Sequence, residues 1–276
     1  MKSSATEVEA QAEAVRRVAC VVYRGTEAIA QTRVVPEEVP VALSYNGTTH
    51  AVMMATPADL TDFAIGFSLT EGVIDAAADV ESFEVVTQEA GIELRMWLAP
   101  GRAVDFAARR RRLAGPTGCG LCGIESLEQA LPAVAPVGPG ITAEAQTIRA
   151  AVASLTSTQA IHRATSAVHA AGFFMPGAGL IAVREDVGRH NALDKLIGHL
   201  ARRGIDGAGG IVVLTSRVSV EMVQKAATLG ATIVVAISAP TALAIRVADQ
   251  AGITLVAVAR PDSFEVFTHE ARIRPA

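Results

Sequence analysis

Two cysteines separated by two residues are the most reactive side chains that the sequence brings together. Cys119 and Cys122 form a Cys-x-x-Cys pair in a glycine-rich segment, and four consecutive arginines, Arg109 to Arg112, precede it. A thiolate is the nucleophilic form of cysteine, and its pKa falls beside cationic groups, at a helix N-terminus or next to a second thiol. The pattern predicts an exposed, activated thiol on a mobile loop.

A single Cys-x-x-Cys pair is compatible with several kinds of chemistry. A structural zinc site needs two more ligands, and the third cysteine, Cys20, is far away in the chain. A zinc deaminase needs His-x-Glu before Pro-Cys-x-x-Cys, but His50, the histidine that precedes the pair, is followed by Ala51 and Val52. We therefore expect no metal. A dithiol oxidoreductase stays open, although no strand pattern leads into the pair.

Composition places the chain among ordinary globular proteins. Half of the 276 residues are hydrophobic and the net charge is only -4, which argues against disorder and against nucleic-acid binding. The first residues lack the pattern of a secretory signal, and no segment has the roughly 18 apolar residues of a membrane span. An odd number of cysteines suits a reducing compartment. These features predict a cytoplasmic protein.

Short apolar segments bounded by turn residues predict a small α+β lobe after a flexible leader. The predicted strands cover residues 18–22, 38–45, 50–54, 83–87 and 93–98. Asn46-Gly47 indicates a hairpin. Thr56 is expected to cap a helix that begins at Pro57 and continues to Glu71.

Strands and helices alternate in the second half, which predicts an α/β/α sandwich. The predicted strands cover 169–174, 179–184, 211–215, 232–238 and 253–258, and the helices 147–158, 189–203, 220–229 and 241–250. Prolines and glycines in 132–139 suggest a joint between the lobes. The predicted organisation is a leader 1–17, a first lobe 18–139 with the cysteine pair, and a second lobe 140–276. The fold class is α/β.

Polar residues gather at two of the predicted strand-to-helix turns. The first turn spans 185–191, and the second contains Ser216, Arg217, Ser219 and Glu221. Such turns often hold ligands in α/β folds, so together they predict an anion or nucleotide pocket. The alternative is structural: Asp186 or Gly188 caps a helix, and His190 pairs with Asp194 one turn later.

Two other segments contain arginine side chains that suit phosphate-rich ligands. Arg260-Pro261-Asp262-Ser263 follows the last long strand and offers a guanidinium and short polar groups, which suit a guanine edge or a phosphate. A plain surface turn is the alternative reading of this segment. The four arginines before the cysteines form either a solvated face or an attractive surface for a phosphate-rich ligand.

Four motifs in sequence order resemble the formate dehydrogenase accessory sulfurtransferase family, FdhD. They are Thr117-Gly118-Cys119-Gly120-Leu121-Cys122-Gly123, residues 185–195, Thr215-Ser216-Arg217-Val218-Ser219 and Ser238-Ala239-Pro240-Thr241. The resemblance extends over nearly the whole chain. It implies a second lobe similar to the cytidine deaminase fold, and a homodimer.

The resemblance also implies a function in sulfur transfer. A carrier of this family accepts a persulfide sulfur from a cysteine desulfurase and passes it to the molybdenum cofactor, in its bis(molybdopterin guanine dinucleotide) form, before insertion into formate dehydrogenase. Cys119 corresponds to the persulfide site and Cys122 to a supporting thiol. The cofactor-binding segment corresponds to Val258, Ala259, Arg260, Pro261, Asp262 and Ser263, although its composition departs from the aromatic and glycine-containing family version. A guanine nucleotide would be a partial mimic of this cargo.

Three functional hypotheses follow. In the first, the Cys119 thiolate takes the terminal sulfur of a persulfide and releases it with help from Cys122 or by direct transfer to the metal. In the second, both thiols cycle through a disulfide as an oxidoreductase. In the third, the protein is a nucleotide-binding chaperone that needs neither cysteine.

Overall fold

The computed structural model describes residues 14–102 and 134–275. The predicted catalytic pair, Cys119 and Cys122, lies outside the described residues. So do the four arginines before it and most of the predicted leader. No described helix is long and apolar enough to cross a lipid bilayer.

A long antiparallel hairpin opens the described chain. Strand β1 (Val15–Arg24) pairs with β2 (Glu27–Pro36) along its whole length. The first strand therefore begins at Val15 rather than at Val18, and β2 was not predicted. Most residues of this ribbon are exposed. Since neither face is fully buried, the sequence lacks the regular alternation that reveals a half-buried strand.

A four-stranded sheet and one helix form the core of the first lobe. The helices and strands are β3 (Val39–Tyr45), β4 (Thr48–Ala55), α1 (Leu60–Thr70), β5 (Val80–Gln88) and β6 (Gly91–Leu98). The strand order is β4-β3-β6-β5, with β3 and β6 parallel. Apolar side chains of one sheet face pack on Phe63 and Phe67 of α1. The predicted α+β lobe is confirmed.

The beginning of α1 differs from the prediction. Thr56 does not cap the helix, which begins at Leu60, after Asp59 in a left-handed conformation with φ 53°. The backbone of Thr56 is instead hydrogen-bonded to the second lobe: its N–H donates to Asp186 and its carbonyl accepts from Lys195. Tertiary contacts therefore override the local capping signal.

The second lobe consists of alternating helices and strands. They are β7 (Ala143–Glu144), α2 (Ala145–Thr158), α3 (Ala160–Thr165), β8 (His169–Met175), β9 (Gly179–Asp186), α4 (Arg189–Arg202), β10 (Ile211–Leu214), α5 (Val220–Thr228), β11 (Ile233–Ala236), α6 (Ala242–Gln250), β12 (Thr254–Ala257), β13 (Glu265–Val266) and β14 (Ile273–Arg274). Residues 134–142, which include the described part of the predicted joint, have neither helix nor strand. The long helices and strands were predicted, whereas α3, β7, β13 and β14 were not.

A six-stranded mixed sheet lies at the centre of this lobe, in the order β13-β12-β11-β10-β8-β9. Strands β10, β11 and β12 are mutually parallel, and β8 is antiparallel to both β9 and β10. Helices α4, α5 and α6 cover one face, and α2 covers the other. The predicted α/β/α sandwich is confirmed, and its nearly all-apolar strands reflect burial on both faces.

Helices α1 and α4 pack directly on each other and join the two lobes. A Cβ atom at Gly66 of α1 would lie 1.7 Å from the carbonyl oxygen of Asp194, and one at Gly198 of α4 would lie 1.9 Å from that of Asp62. Glycine is therefore required at both positions for the backbones to approach. Because α1 also packs on its own sheet, every residue from 62 to 68 is buried.

Candidate functional site

The carboxyl ends of β9, β10, β11 and β12 lie at one edge of the six-stranded sheet, because these strands run in the same direction. Ligands of open α/β sheets bind at this edge. The motif turns at 215–219 and 238–241 meet there: Val218 N–H donates to Ala239 O, and Thr241 N–H donates to Val218 O. The fold therefore gathers at one edge the motifs of the second lobe.

Asp186, at the end of β9, has a structural role. Its carboxylate accepts hydrogen bonds from Thr56 N (3.0 Å), Gly188 N (2.7 Å) and Asn191 Nδ2 (3.0 Å). Lys195 Nζ lies 2.6 Å from Asp186 Oδ2, and both side chains are fully buried. The same ammonium donates to Thr56 O at 2.9 Å. Gly188 is the N-cap of α4, as one predicted alternative had it. Asp186 binds the backbone of that cap residue and joins the lobes.

A second buried ion pair involves Asp194, the residue that precedes Lys195 on α4. Lys225 Nζ donates to both carboxylate oxygens of Asp194, at 2.9 and 3.0 Å. Thr70 Oγ1 of α1 donates to Asp194 Oδ1 at 2.7 Å and accepts from Lys225 Nζ at 2.8 Å. The predicted pairing of His190 with Asp194 is wrong, because Lys225 and Thr70 bind that carboxylate.

Asp62 of α1 forms a third polar link between the lobes. Arg184 Nε and Nη2 donate to Asp62 Oδ2 at 2.8 and 2.6 Å, and Arg202 Nη1 donates to Oδ1 at 2.5 Å. His199 Nδ1 lies 3.3 Å from Oδ2. Burial acts to raise the pKa of Asp62, but His199 and the two arginines outweigh it and lower that pKa to about 2.

Four polar side chains at the sheet edge keep unused hydrogen-bonding capacity, and we call them the polar cluster: Arg189, His190, Ser219 and Glu221. Within the described ranges, the buried atoms Arg189 Nε, His190 Nε2, Ser219 Oγ and Glu221 Oε2 have no hydrogen-bond partner. The first two residues begin α4 after β9, and the others surround the start of α5 after β10. Buried polar atoms are nearly always paired in native proteins, so these atoms are available to bound water or to a ligand.

The charges of the polar cluster are balanced. Burial lowers the pKa of His190 to about 4, with help from Arg189 and Lys225, so its imidazole is neutral at pH 7. Burial alone would raise the pKa of Glu221, but Ser219, its own backbone amide, His190 and Arg189 together lower it. The cluster thus has one carboxylate, one guanidinium, a neutral imidazole and a hydroxyl.

The predicted cofactor-binding segment 258–263 follows β12 at the same sheet edge. Val258 is in the left-handed region with φ 52°, a strained conformation for a β-branched residue, and such strain is concentrated at functional sites. Ala259 is buried, whereas Arg260, Pro261, Asp262 and Ser263 are exposed.

A main-chain turn organises the exposed part of this segment. Arg260 N–H donates to Ser263 O at 2.7 Å. The Nη1 atom of Arg260 donates to Ile237 O at 2.7 Å and to Ala259 O at 2.9 Å. These bonds fix the guanidinium at the sheet edge. Contact of these residues with a cofactor stays a prediction.

Sequence reasoning missed one functional feature and left one unresolved. It assigned Thr56 to a helix cap and gave no signal that this residue links the lobes through both its backbone groups. The sequence analysis placed the polar residues at the correct turns. It did not distinguish the side chains that bind one another from those with atoms that have no hydrogen-bond partner. Among the described residues, no three His, Cys, Asp or Glu side chains form a group that could hold a metal.

Comparison with known proteins identifies the family. The FdhD/NarQ family model matches residues 36–274. The sulfur carrier protein FdhD of Agrobacterium fabrum is 56% identical over 260 residues, which cover 94% of this chain and 96% of that protein. The sulfur carrier protein FdhD of Brucella abortus is 58% identical over 243 residues, or 88% of this chain and 90% of that one.

A solved structure shares the fold. A crystal structure described as a formate dehydrogenase accessory protein from Desulfotalea psychrophila superposes with a TM-score of 0.75 at 24% identity, and the match covers 94% of this chain and 99% of that one. At this identity the likeness shows the fold alone. The family-model match and the two highly similar relatives, which extend over most of the chain, show that this protein belongs to the FdhD/NarQ family.

Proposed function

We propose that this protein is a cytoplasmic sulfur carrier that acts in the maturation of formate dehydrogenase. The observation that supports it is the similarity, along almost the entire chain, to proteins named sulfur carrier protein FdhD. The cysteine pair supplies the side chains that such chemistry needs. The donor in this proposal is a cysteine desulfurase, and the recipient is the molybdenum cofactor destined for formate dehydrogenase.

The first step is the capture of a sulfur atom by Cys119. Its thiolate attacks the terminal sulfur of a persulfide on the donor enzyme. A sulfur–sulfur bond to Cys119 forms, the bond within the donor persulfide breaks, and the donor cysteine leaves as a thiolate. The product is Cys119-S-SH. The nearby arginines in the sequence favour this step because they increase the fraction of thiolate.

The second step delivers the sulfur to the cargo, bis(molybdopterin guanine dinucleotide) with its molybdenum. The Cys122 thiolate attacks the Cys119 sulfur, a disulfide forms, and the terminal sulfur leaves as hydrosulfide to become a ligand of the metal. A cellular dithiol reductant then restores both thiols. Direct transfer from Cys119 to the metal is the alternative, and it does not require Cys122.

The cargo in this proposal lies along the sheet edge that carries the family motifs. The segment 258–263 borders that edge, and its exposed Arg260 suits an anionic group such as a phosphate of the cargo. The carrier acts as a homodimer that meets the formate dehydrogenase apoenzyme after loading.

The experiment that tests this function is complementation of cells that lack the protein. Wild type should restore formate dehydrogenase activity, whereas Cys119→Ala should restore less than about a hundredth of it, because no other group replaces the nucleophile. Cys20→Ala is the matched control and should restore full activity, since Cys20 lies in β1, in the first-lobe hairpin. Full activity with Cys119→Ala would contradict the proposal and favour a chaperone without sulfur chemistry.

A further inference from the structure

A cleft lies between the two lobes, at the end of the large sheet where β10 and β11 begin. Its volume is about 440 Å³, and binding sites of this size are common where two lobes meet. Residues 205–207, which precede β10, and Leu229, which precedes β11, line its second-lobe side. The cleft is therefore at the opposite end of these strands from the family motifs.

The floor of the cleft is apolar, and its rim is acidic. The floor consists of partly or fully buried aliphatic side chains from both lobes: Leu69, Ile74, Ile197, Ala201, Ile205 and Leu229. Asp75 and Asp206 lie at the rim and are exposed. Asp206 accepts a hydrogen bond from Ala208 N at 2.9 Å, and it has no ion-pair partner in residues 14–102 and 134–275. The cleft thus fits an apolar group with a positive charge beside it.

The segment that contains Cys119 joins the described chain beside this cleft. Before that segment, the guanidinium of Arg102 pairs with Asp75 of the rim. After it, Val137 N–H donates to Ala251 O, at the end of α6 and on the same side of the sheet. Cys119 follows Arg102 by 17 residues, and an extended chain spans up to about 3.5 Å per residue. A protein bound at the cleft is therefore within reach of the thiol.

We propose that the cleft is the docking site of the sulfur donor, which inserts an apolar side chain flanked by lysine or arginine. This inference rests on the proposed function, and it gives the donor a surface apart from the cysteine pair and the family motifs. Carboxylates at the rim disfavour an anionic ligand such as the cargo. An apolar anchor in a pocket supplies much of the binding energy of a protein interface, and charges at its rim mainly increase the association rate.

The test compares two sulfur sources, because only one of them needs a docking surface. Mass spectrometry follows sulfur loading of Cys119 by a purified cysteine desulfurase with cysteine, and separately by glutathione persulfide. Ala76→Trp places a large side chain in the cleft and should slow loading from the desulfurase at least about tenfold, with loading from glutathione persulfide unchanged. Ala90→Trp, at the exposed turn between β5 and β6, is the matched control and should load like the wild type from both sources.

Asp206→Asn tests the contribution of charge. Asparagine keeps an oxygen that can accept from Ala208 N, so the variant removes the charge and keeps the hydrogen bond. Loading from the desulfurase should slow about two- to fivefold at low salt, and the difference from the wild type should disappear at high salt. Glu89→Gln removes an exposed carboxylate outside the cleft and should load like the wild type.

Thermal melting first shows which variants are folded, and Asp206→Asn decides alone if Ala76→Trp is not. Wild-type loading from the desulfurase in the folded variants, or equal slowing from both sources, would overturn the inference. So would dissociation of a dimer by Ala76→Trp in sedimentation, or loss of binding to the formate dehydrogenase apoenzyme with loading unchanged, because the cleft would then hold another partner. A wild type that accepts sulfur from neither source removes the proposed function, whereas wild-type loading that no variant changes removes this inference alone.

Discussion

His190 combines burial with a nearby positive charge, an unfavourable setting for an imidazolium ion. It is the second residue of α4, where the helix dipole also disfavours a cation. Burial, Arg189 and Lys225 lower its pKa to about 4. The side chain therefore stays neutral over the physiological range, which suits a residue that offers a hydrogen bond to a neutral ligand rather than a charge.

We predict that this pKa makes stability depend on pH between 4 and 6.5. In that interval the unfolded chain binds a proton on the histidine that the folded protein does not bind, so acidification favours unfolding. His190→Gln removes the group that titrates. Between pH 7.5 and 4, the wild type should lose up to about 3 kcal/mol of unfolding free energy relative to the variant. Urea denaturation at several pH values measures this difference, and parallel curves would contradict the assignment.

Individual residues show what sequence reasoning can and cannot supply. The polar turns were predictable because they follow apolar strands and precede helices. The hydrogen-bond partners of these residues were not predictable. His190 and Asp194 have the helical spacing of an interacting pair, yet Lys225, which is distant in sequence, binds Asp194. Thr56 was misassigned for the same reason. Contacts that are distant in sequence determine the partner of Asp194 and the role of Thr56, and the local spacing of residues does not predict such contacts.

At the scale of elements, the crossing of α1 and α4 brings the backbones of the two lobes into close contact. Gly66 and Gly198 lie where each helix touches the backbone of the other. Close approach allows the side chains around the crossing, including Asp62 and Asp194, to reach the opposite lobe. The hydrogen bonds of both residues therefore depend on the absence of a Cβ at the crossing.

We expect Gly66→Ala to lower the free energy of unfolding by about 3 kcal/mol or more, because its Cβ would overlap the carbonyl of Asp194 and the backbone cannot yield locally. Gly209→Ala is the matched control: no atom lies within 4 Å of its Cβ position, so its effect should stay within about 0.5 kcal/mol. Urea denaturation measures both variants. An equal loss of unfolding free energy in the two variants would contradict the prediction, because it would show that α1 and α4 can move apart at little cost.

At the scale of the whole molecule, buried charges at the lobe interface couple the two lobes. Lys195 and Asp186 are fully buried, and the ammonium also binds Thr56 of the first lobe. A buried pair of this kind adds little net stability, but removing one partner leaves an uncompensated charge in the interior. The lobes should therefore unfold together as long as this pair is intact.

We predict that Lys195→Met costs about 3 to 5 kcal/mol, and that the double variant Asp186→Asn/Lys195→Met recovers part of that loss. Trp97, the single tryptophan, reports on the first lobe, and far-ultraviolet circular dichroism reports on both. The two signals should coincide during wild-type denaturation and separate in Lys195→Met. The exposed ion pairs of Arg95 with Glu84 and Glu93 supply the control, since Arg95→Ala should leave the two signals coincident.

The architecture of the second lobe was more predictable than that of the first. Strands such as β11 are buried on both faces and read as uninterrupted apolar runs, so their alternation with helices reveals a sandwich. The hairpin of β1 and β2 has no such signature because it is largely exposed. The order of strands in the large sheet and the packing of α1 on α4 depend on contacts distant in sequence, and no local pattern encodes them.

The measurement that tests the central claim most directly is the mass of the protein after incubation with a cysteine desulfurase and cysteine. Peptide mapping without reductant locates any added sulfur. We predict a gain of about 32 Da, one sulfur atom, on the peptide that contains Cys119, with the gain kept in Cys20→Ala and lost in Cys119→Ala. No gain in the wild type, or an undiminished gain in Cys119→Ala, would contradict the account.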